Sequence, residues 1–275
     1  MSAPLLEARS LCVAVAGRTL VQGLDLALGA GECLAILGRN GAGKSTLLST
    51  LAGLRPPRSG EVLLGGESTT RLPPRAAALR RAWLGQQRGD PFATTVLETA
   101  LTGRHPHLGR WDWESEADAQ LARAALAEVD LAGLESRGVD TLSGGERQRL
   151  AIATLLTQAA PLYLLDEPLS HLDLCHQVAI LGLFKGLARA RGVGVVMVLH
   201  DPGLAYRYCQ RALLLYGEGE AECGPVADML TAHGLTRLYR QPLRCADLGG
   251  GRVFVPEEAG AVSGYPDACL SERRG

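Results

Sequence analysis

Gly38-Arg-Asn-Gly-Ala-Gly-Lys44-Ser45-Thr46 stands between the apolar run Cys33-Leu-Ala-Ile-Leu37 and the stretch Leu47-Leu-Ser-Thr-Leu51. The order is buried strand, glycine-rich turn, helix, which is the setting in which such a loop cradles phosphates. Glycines at 38, 41 and 43 let backbone N–H groups wrap an anion, and the new helix adds the positive end of its dipole. The whole segment, with Gly38, Arg39, Asn40, Gly41, Ala42 and Gly43 ahead of Lys44, is therefore a candidate contact for a nucleoside triphosphate. Lys44 can reach the β- and γ-phosphates, Ser45 can hold Mg²⁺ through its hydroxyl, and Thr46 is a further donor.

Composition bounds the rest. A chain of 275 residues with 47% hydrophobic content fills one large α/β domain or two smaller ones. Its 28 basic and 29 acidic residues give a formal net charge of −1, so there is no excess positive charge to hold nucleic acid or an anionic membrane. Lys44 and Lys185 are the lysines among many arginines, which is composition bias but makes Lys44 conspicuous. Seven cysteines without a CxxC pair read as free thiols in a reducing cytosol. No charged-then-apolar N-terminal segment appears, and the run Val193 to Leu199 is too short to span a bilayer, so the chain is expected to be soluble by itself.

Short apolar strands alternate with longer helical patterns, which predicts an α/β fold with a parallel sheet and crossover helices. Strands are expected near 9–15, 20–28, 33–37, 61–64, 80–85, 161–165, 193–199 and 211–216. The first two and the one near 61 read as short strands of an antiparallel flank, with turns such as Gly17-Arg18 and Gly65-Gly66. Between about 90 and 142 helical spacing takes over, as in Leu121, Ala124, Ala125, Leu126 and Val129, so an inserted helical subdomain is expected. After Gly260 the composition turns small and polar, and a loose tail follows.

Leu162-Tyr-Leu-Leu-Asp166-Glu167-Pro168 supplies the second nucleotide element, an apolar strand ending in two carboxylates. Asp166 can face the Mg²⁺ shell and Glu167 can polarise an attacking water as base. A third element is Leu142-Ser143-Gly144-Gly145-Glu146-Arg147-Gln148-Arg149, running into a helical pattern to Gln158. Ser143 can cap a helix whose start is stripped of side chains by Gly144 and Gly145, which makes a second anion site in a chain that needs one.

With this last motif the chain resembles the ATP-binding cassette (ABC) family, whose signature it is. The resemblance covers residues 5 to 240 and implies a P-loop NTPase core of the RecA-like type, with an antiparallel β flank and an inserted helical subdomain. The implied ATPase domain is 1–240, with the core at about 1–89 and 158–240, the helical signature subdomain at about 90–157, and a C-terminal strand and loose tail at 241–275. It also implies a head-to-tail pair of cassettes, each offering Ser143, Gly144, Gly145 and Glu146 to the γ-phosphate held by the other. Trp83-Leu-Gly-Gln86 matches the Q-loop, so Gln86 should touch Mg²⁺ or the attacking water, with Gln87 as its neighbouring rival. Ser170-His-Leu-Asp173 matches the D-loop, which crosses the dimer interface at Asp173. Val198-Leu-His200-Asp201 puts His200 at the switch histidine, which contacts the γ-phosphate and orients Glu167. ATP and Mg²⁺, the latter through Ser45, Gln86 and Asp166, are the implied ligands.

One departure concerns the base. The family often stacks an aromatic side chain on adenine from the first strand turn, and Val15 stands there, which leaves the phosphate grip intact and allows tolerance for GTP. His105 and His107 have no third metal ligand at sensible spacing. Trp111 and Trp113 fit either the core or a groove for a membrane partner, and Arg71 to Arg81 reads as a solvated basic face.

Pro91-Phe-Ala-Thr-Thr95, Gly103-Arg-His-Pro-His107, Ala153 to Gln158 and His200 to Cys209 are similar to one branch, the ATPase subunits of metal-chelate importers. Those importers carry vitamin B12, iron siderophores or haem, and Gln86-Gln87 with Pro-Phe-Ala-Thr leans toward cobalamin. The implied partners are a second copy, a two-subunit membrane permease and, indirectly, a periplasmic or extracellular substrate-binding protein, at the cytoplasmic face of the inner membrane. A soluble ABC-type switch on DNA or the ribosome fits less well, because no heptad run and no second cassette is present. The cassette of an exporter is a further alternative.

Overall fold

The computed structural model describes residues 3–85, 94–249 and 251–257. Its first half runs β1 (Leu6–Val15), β2 (Arg18–Leu28), β3 (Cys33–Gly38), α1 (Lys44–Leu51), β4 (Ser59–Leu64), β5 (Glu67–Ser68), α2 (Pro74–Arg80), β6 (Ala82–Leu84), α3 (Val96–Leu101) and α4 (Glu116–Glu128). Then come α5 (Gly144–Gln158), β7 (Leu162–Leu165), α6 (Leu174–Arg191), β8 (Gly194–Val198), α7 (Pro202–Tyr208), β9 (Arg211–Gly217), β10 (Glu220–Pro225), α8 (Val226–Met229), α9 (Ala232–Tyr239), β11 (Leu243–Leu248) and β12 (Gly251–Pro256).

The main sheet has the order β10-β9-β3-β8-β7-β6, parallel except for β10. Every residue of β3, β7 and β8 is buried, as expected of strands covered on both faces. Alternation sorts them: Cys33, Ala35, Leu37, Tyr163, Leu165, Val195 and Met197 join the core shared with the helices, and Leu34, Ile36, Leu162, Leu164, Val196 and Val198 join the core under the antiparallel sheet. Both faces being apolar fixes the register, since a one-residue slip would exchange the two cores.

The flank is an antiparallel sheet, β2-β1-β4-β5. Its first two strands are not short: they span 10 and 11 residues, because Leu6, Ala8, Leu11 and Val13, with Val21, Leu24, Leu26 and Leu28, bury one long face. The turn between them is Ala16-Gly17 rather than Gly17-Arg18, with φ of 48° and 82°, and positive φ at both positions matches the twist of a two-residue hairpin.

Residues 96–158 form the helical region. The buried stripe of α4 is Ala122, Ala125 and Leu126, continued by Val129, whereas Leu121 and Ala124 face outward. The period is helical as expected, and Ala125, Leu126 and Val129 are buried as expected, but Ala122 stands inside in place of Leu121 and Ala124. Serine and threonine caps start the helices: Thr95, Ser115 and Ser143 each form a reciprocal capping box with Glu98, Asp118 and Glu146.

The basic stretch 71–81 is not wholly a solvated face. Arg81 is buried, with Nε donating to the Ala52 carbonyl, and burial lowers its pKa. Arg80 pairs with Glu67. Beyond residue 240 there is a two-stranded hairpin, β11 and β12, where a single strand was expected. The tail after Gly260 lies outside the described residues, as do Gln86, Gln87 and the Pro91-Phe-Ala start of the segment after the Q-loop.

Candidate active site

Three adjacent strands, β3, β8 and β7, end on one side of the sheet, and the loop after each carries a polar group. β3 delivers the phosphate-cradling loop, β7 delivers Asp166 and Glu167, and β8 delivers His200. Ligands in such sheets bind outside the carboxyl ends of the strands, so sheet order alone gathers residues from positions 38, 166 and 200.

The loop geometry demands glycine where it occurs. Gly41 and Gly43 have φ of 76° and 96°, a region that L side chains rarely adopt. A Cβ on Gly43 would also meet Leu20 Cδ1 at 2.7 Å. At Gly38 a Cβ would lie 2.9 Å from the Leu215 carbonyl oxygen. Lys44 folds back under the loop, its Nζ donating to the Gly38 carbonyl at 2.9 Å and the Arg39 carbonyl at 3.2 Å. Burial lowers its pKa against the opposing pull of Glu167 and Asp166.

Ser45 Oγ donates to Asp166 Oδ1 at 3.0 Å. Desolvation raises the Asp166 pKa and repulsion from Glu167 adds to the rise, while the Ser45 hydrogen bond opposes it. His200 Nε2 lies 3.0 Å from Glu167 Oε1. Glu167 itself has φ of 51°, the left-handed region, a strain that characteristically clusters at functional sites. A cleft of ≈ 630 Å³ is lined by Asn40, Gly41, Gly43, Lys44, Ser45, Thr46, Glu167 and His200, with Val15, Arg18 and Leu20 from the β1–β2 hairpin. A second cavity of ≈ 880 Å³, toward the helical region, also reaches Asp166 and Glu167.

The arrangement is an anion cradle beside a hydroxyl–carboxylate pair and a carboxylate–imidazole pair. The family model for ABC transporters matches residues 21–170. The chain belongs to the ABC transporter family. It is an ATPase of that type. It is 41% identical over 258 residues to the hemin import ATP-binding protein HmuV of Nocardia farcinica, covering 91% of this chain and 88% of that one. In structure it is similar to a metal-chelate type ABC transporter in an inward-facing conformation, with a TM-score of 0.80 and 30% identity over 93% of this chain and 98% of that one. It is also similar to a dimeric ATP-binding cassette in a post-hydrolysis state bound to ADP and phosphate, with a TM-score of 0.71 and 26% identity over 80% of this chain and 98% of that one.

The signature of this ABC ATPase stands apart from its own phosphate cleft. Ser143 caps α5, its hydroxyl accepting from Glu146 N at 3.2 Å while Glu146 Oε2 accepts from Ser143 N at 2.7 Å. The Ser143 backbone and hydroxyl hold the Glu146 carboxyl below its usual range, and Arg137 pairs with it at 3.1 Å. Glu146 is thus engaged in holding the helix start. Gly144 and Gly145 pack on the D-loop segment: a Cβ on Gly145 would meet the His171 carbonyl oxygen at 3.0 Å. Asp173 caps α6, accepting from His176 N at 2.9 Å and contacting His176 Nδ1 at 2.8 Å.

Gln148 was not singled out by sequence. Its buried amide donates to the Pro168 carbonyl at 3.0 Å and lies 3.5 Å from that of Glu167, tying α5 to the backbone beside the Glu167 carboxylate. The spacing of four from Gly144 was the available signal, because it sets both on one face of α5. Arg18 and Leu20 in the cleft wall were missed as well, since the hairpin turn was placed one residue late.

The other sequence candidates fall away from the site. His107 Nε2 is 2.8 Å from the Gln158 carbonyl oxygen and His105 is 3.9 Å from Glu114. Among the described residues no group of three metal-ligating side chains gathers. Trp111 and Trp113 are 83% and 88% exposed, so neither is core. The six described cysteines are free thiols. No helix among the described residues is long and apolar enough to cross a membrane.

Proposed function

We propose that this ATPase powers a haem importer, working as a head-to-tail pair on a two-subunit membrane permease at the cytoplasmic face of the cell membrane. The observation that carries the cargo reading is the likeness, across nine-tenths of the chain, to proteins named for hemin import. The lean toward cobalamin read from Gln86-Gln87 has no such support: relatives from several bacteria, Deinococcus radiodurans among them, carry the hemin name.

Lys44 and the loop N–H groups hold the triphosphate in this reading. The Ser45–Asp166 pair suits Mg²⁺, a hard cation that takes one or two protein oxygens and fills its shell with phosphate and water. When bound, that ion offsets charge on the phosphate oxygens. Glu167 takes a proton from the attacking water, and His200, within hydrogen-bond reach of Glu167, keeps the carboxylate aimed. Gln86 is the further contact to metal or water. Ser143, Gly144 and Gly145 close on the γ-phosphate of the partner, with Asp173 at the interface. The proposed domain division is a core of about 1–89 and 158–240 around a helical subdomain.

Purification of the tagged protein from detergent-solubilised native membranes tests the reading. A many-helix permease carrying haem is the expected companion. Recovery of ribosomes, DNA-bound proteins or a permease loaded with another cargo would overturn it.

A further inference from the structure

We propose that the Arg18 guanidinium is the platform for the nucleotide base, taking the place of an aromatic side chain; this rests on the nucleotide reading of the cleft given above. The hairpin that builds the cleft wall turns at Ala16-Gly17, and its register pairs Val15 directly with Arg18. Cross-strand partners share a face, and Leu20, two residues on from Arg18, shares it too. All three line the cleft.

The wall is seated firmly against the phosphate loop. Leu20 packs where a side chain on Gly43 would stand. Arg18 Nη1 is 3.5 Å from the Gly41 carbonyl oxygen, and Nη2 is 3.8 Å from where a Cβ on Gly217, the last residue of β9, would be. The guanidinium therefore spans the cleft mouth between the phosphate loop and the end of β9. Among the described residues Arg18 makes no ion pair with a carboxylate, and the cleft lining contains no Phe, Tyr or Trp. A purine whose triphosphate lies along Gly41 to Thr46 leaves the cradle on this side. There it meets a planar cation and the flat aliphatic surface of Val15.

A guanidinium stacks on π faces, whereas an ammonium, being a hydrated point charge, does not offer a plane. Stacking reads the face of a base and not its edge, so adenine and guanine are held alike. Arg18 is thus a specificity residue that selects a purine nucleotide over bare phosphate without choosing between ATP and GTP.

Binding of the Mg²⁺ complexes of a non-hydrolysable ATP analogue, the matching GTP analogue and inorganic tripolyphosphate to the full chain tests this. Arg18→Ala is expected to weaken both nucleotides by about 5- to 150-fold, the range of a lost base stack, and to leave tripolyphosphate within about twofold. Arg18→Lys should behave like Arg18→Ala, and adding Val15→Tyr to Arg18→Ala should restore nucleotide affinity. Equal weakening of tripolyphosphate with recovery by Arg18→Lys would make Arg18 a phosphate contact and overturn the proposal, as would unchanged nucleotide affinity in Arg18→Ala. Failure of the underlying reading looks different: the wild-type chain would bind none of the three probes, and Lys44→Ala would change nothing.

Discussion

Replacing Glu167 with glutamine removes basicity and little else. The side chain keeps its length and can still hydrogen-bond His200 across the 3.0 Å separation. The backbone at residue 167, with φ of 51°, is held by Gln148 donating to the Pro168 carbonyl at 3.0 Å, so the amide should occupy the position of the carboxylate. Loss of a positioned general base costs about 10²- to 10⁴-fold in rate, or ~2.7–5.5 kcal/mol of barrier. None of the groups that hold phosphate, from Gly38 to Thr46, is altered, so nucleotide affinity should stay within about twofold of wild type. Phosphate release under saturating Mg-ATP gives the rate, equilibrium titration gives the affinity, and light scattering shows whether nucleotide now traps a dimer. A variant that turns over within about threefold of wild type would refute the assignment of the base. So would one whose affinity falls in step with its rate, because that would make Glu167 a binding group.

Lys44→Ala should abolish both binding and turnover, since its ammonium is the buried cation of the cleft; nucleotide titration that matches wild type would contradict this. Ser143→Ala removes the hydroxyl cap of α5 and should cost about 1 kcal/mol, read as a melting shift of roughly 2–4 °C. Gly103→Ala would set a Cβ 2.2 Å from the Thr154 carbonyl oxygen on α5 and should destabilise by about 2–3 kcal/mol in urea unfolding. Asp118 is held down to about 2 by the Ser115 hydroxyl and N–H and by Arg104. Its folded pKa is depressed, so its contribution is present above the unfolded value near ~4 and is lost as pH falls toward about 2. Unfolding measured between those pH values should show Asp118→Asn losing less stability than wild type on acidification.

The residues gathered around the cleft were more legible than the architecture that holds them. Each of these segments carries its own local signal: glycines for a backbone suited to approach phosphate, an apolar strand before paired carboxylates, serine and glycines at a helix start. These signals survive because phosphate binding constrains residue type at adjacent positions. Register and phase were harder. The Ala16-Gly17 turn was read one residue late, because Gly17 satisfies either placement and Ala16 at positive φ carries no mark in the sequence. That shift hid Arg18 from the cleft. Arg81 read as a surface charge, since its neighbours are arginines, whereas it is buried with its Nε donating to the Ala52 carbonyl at the end of α1. The hold of α5 on the backbone beside Glu167 through Gln148 joins residues nineteen and twenty apart, a contact that periodicity cannot supply.

In the function proposed above, ATP turnover at this site drives haem across a membrane. The direct measurement is ATP hydrolysis by the complex of this chain with its permease in proteoliposomes, with haem, cobalamin or a ferric siderophore supplied on the binding-protein side. Hydrolysis accelerated by haem, accompanied by haem movement and abolished by Glu167→Gln, is the predicted result. Acceleration by one of the other chelates with indifference to haem would contradict the cargo assignment, and haem movement that persists in Glu167→Gln would contradict the site.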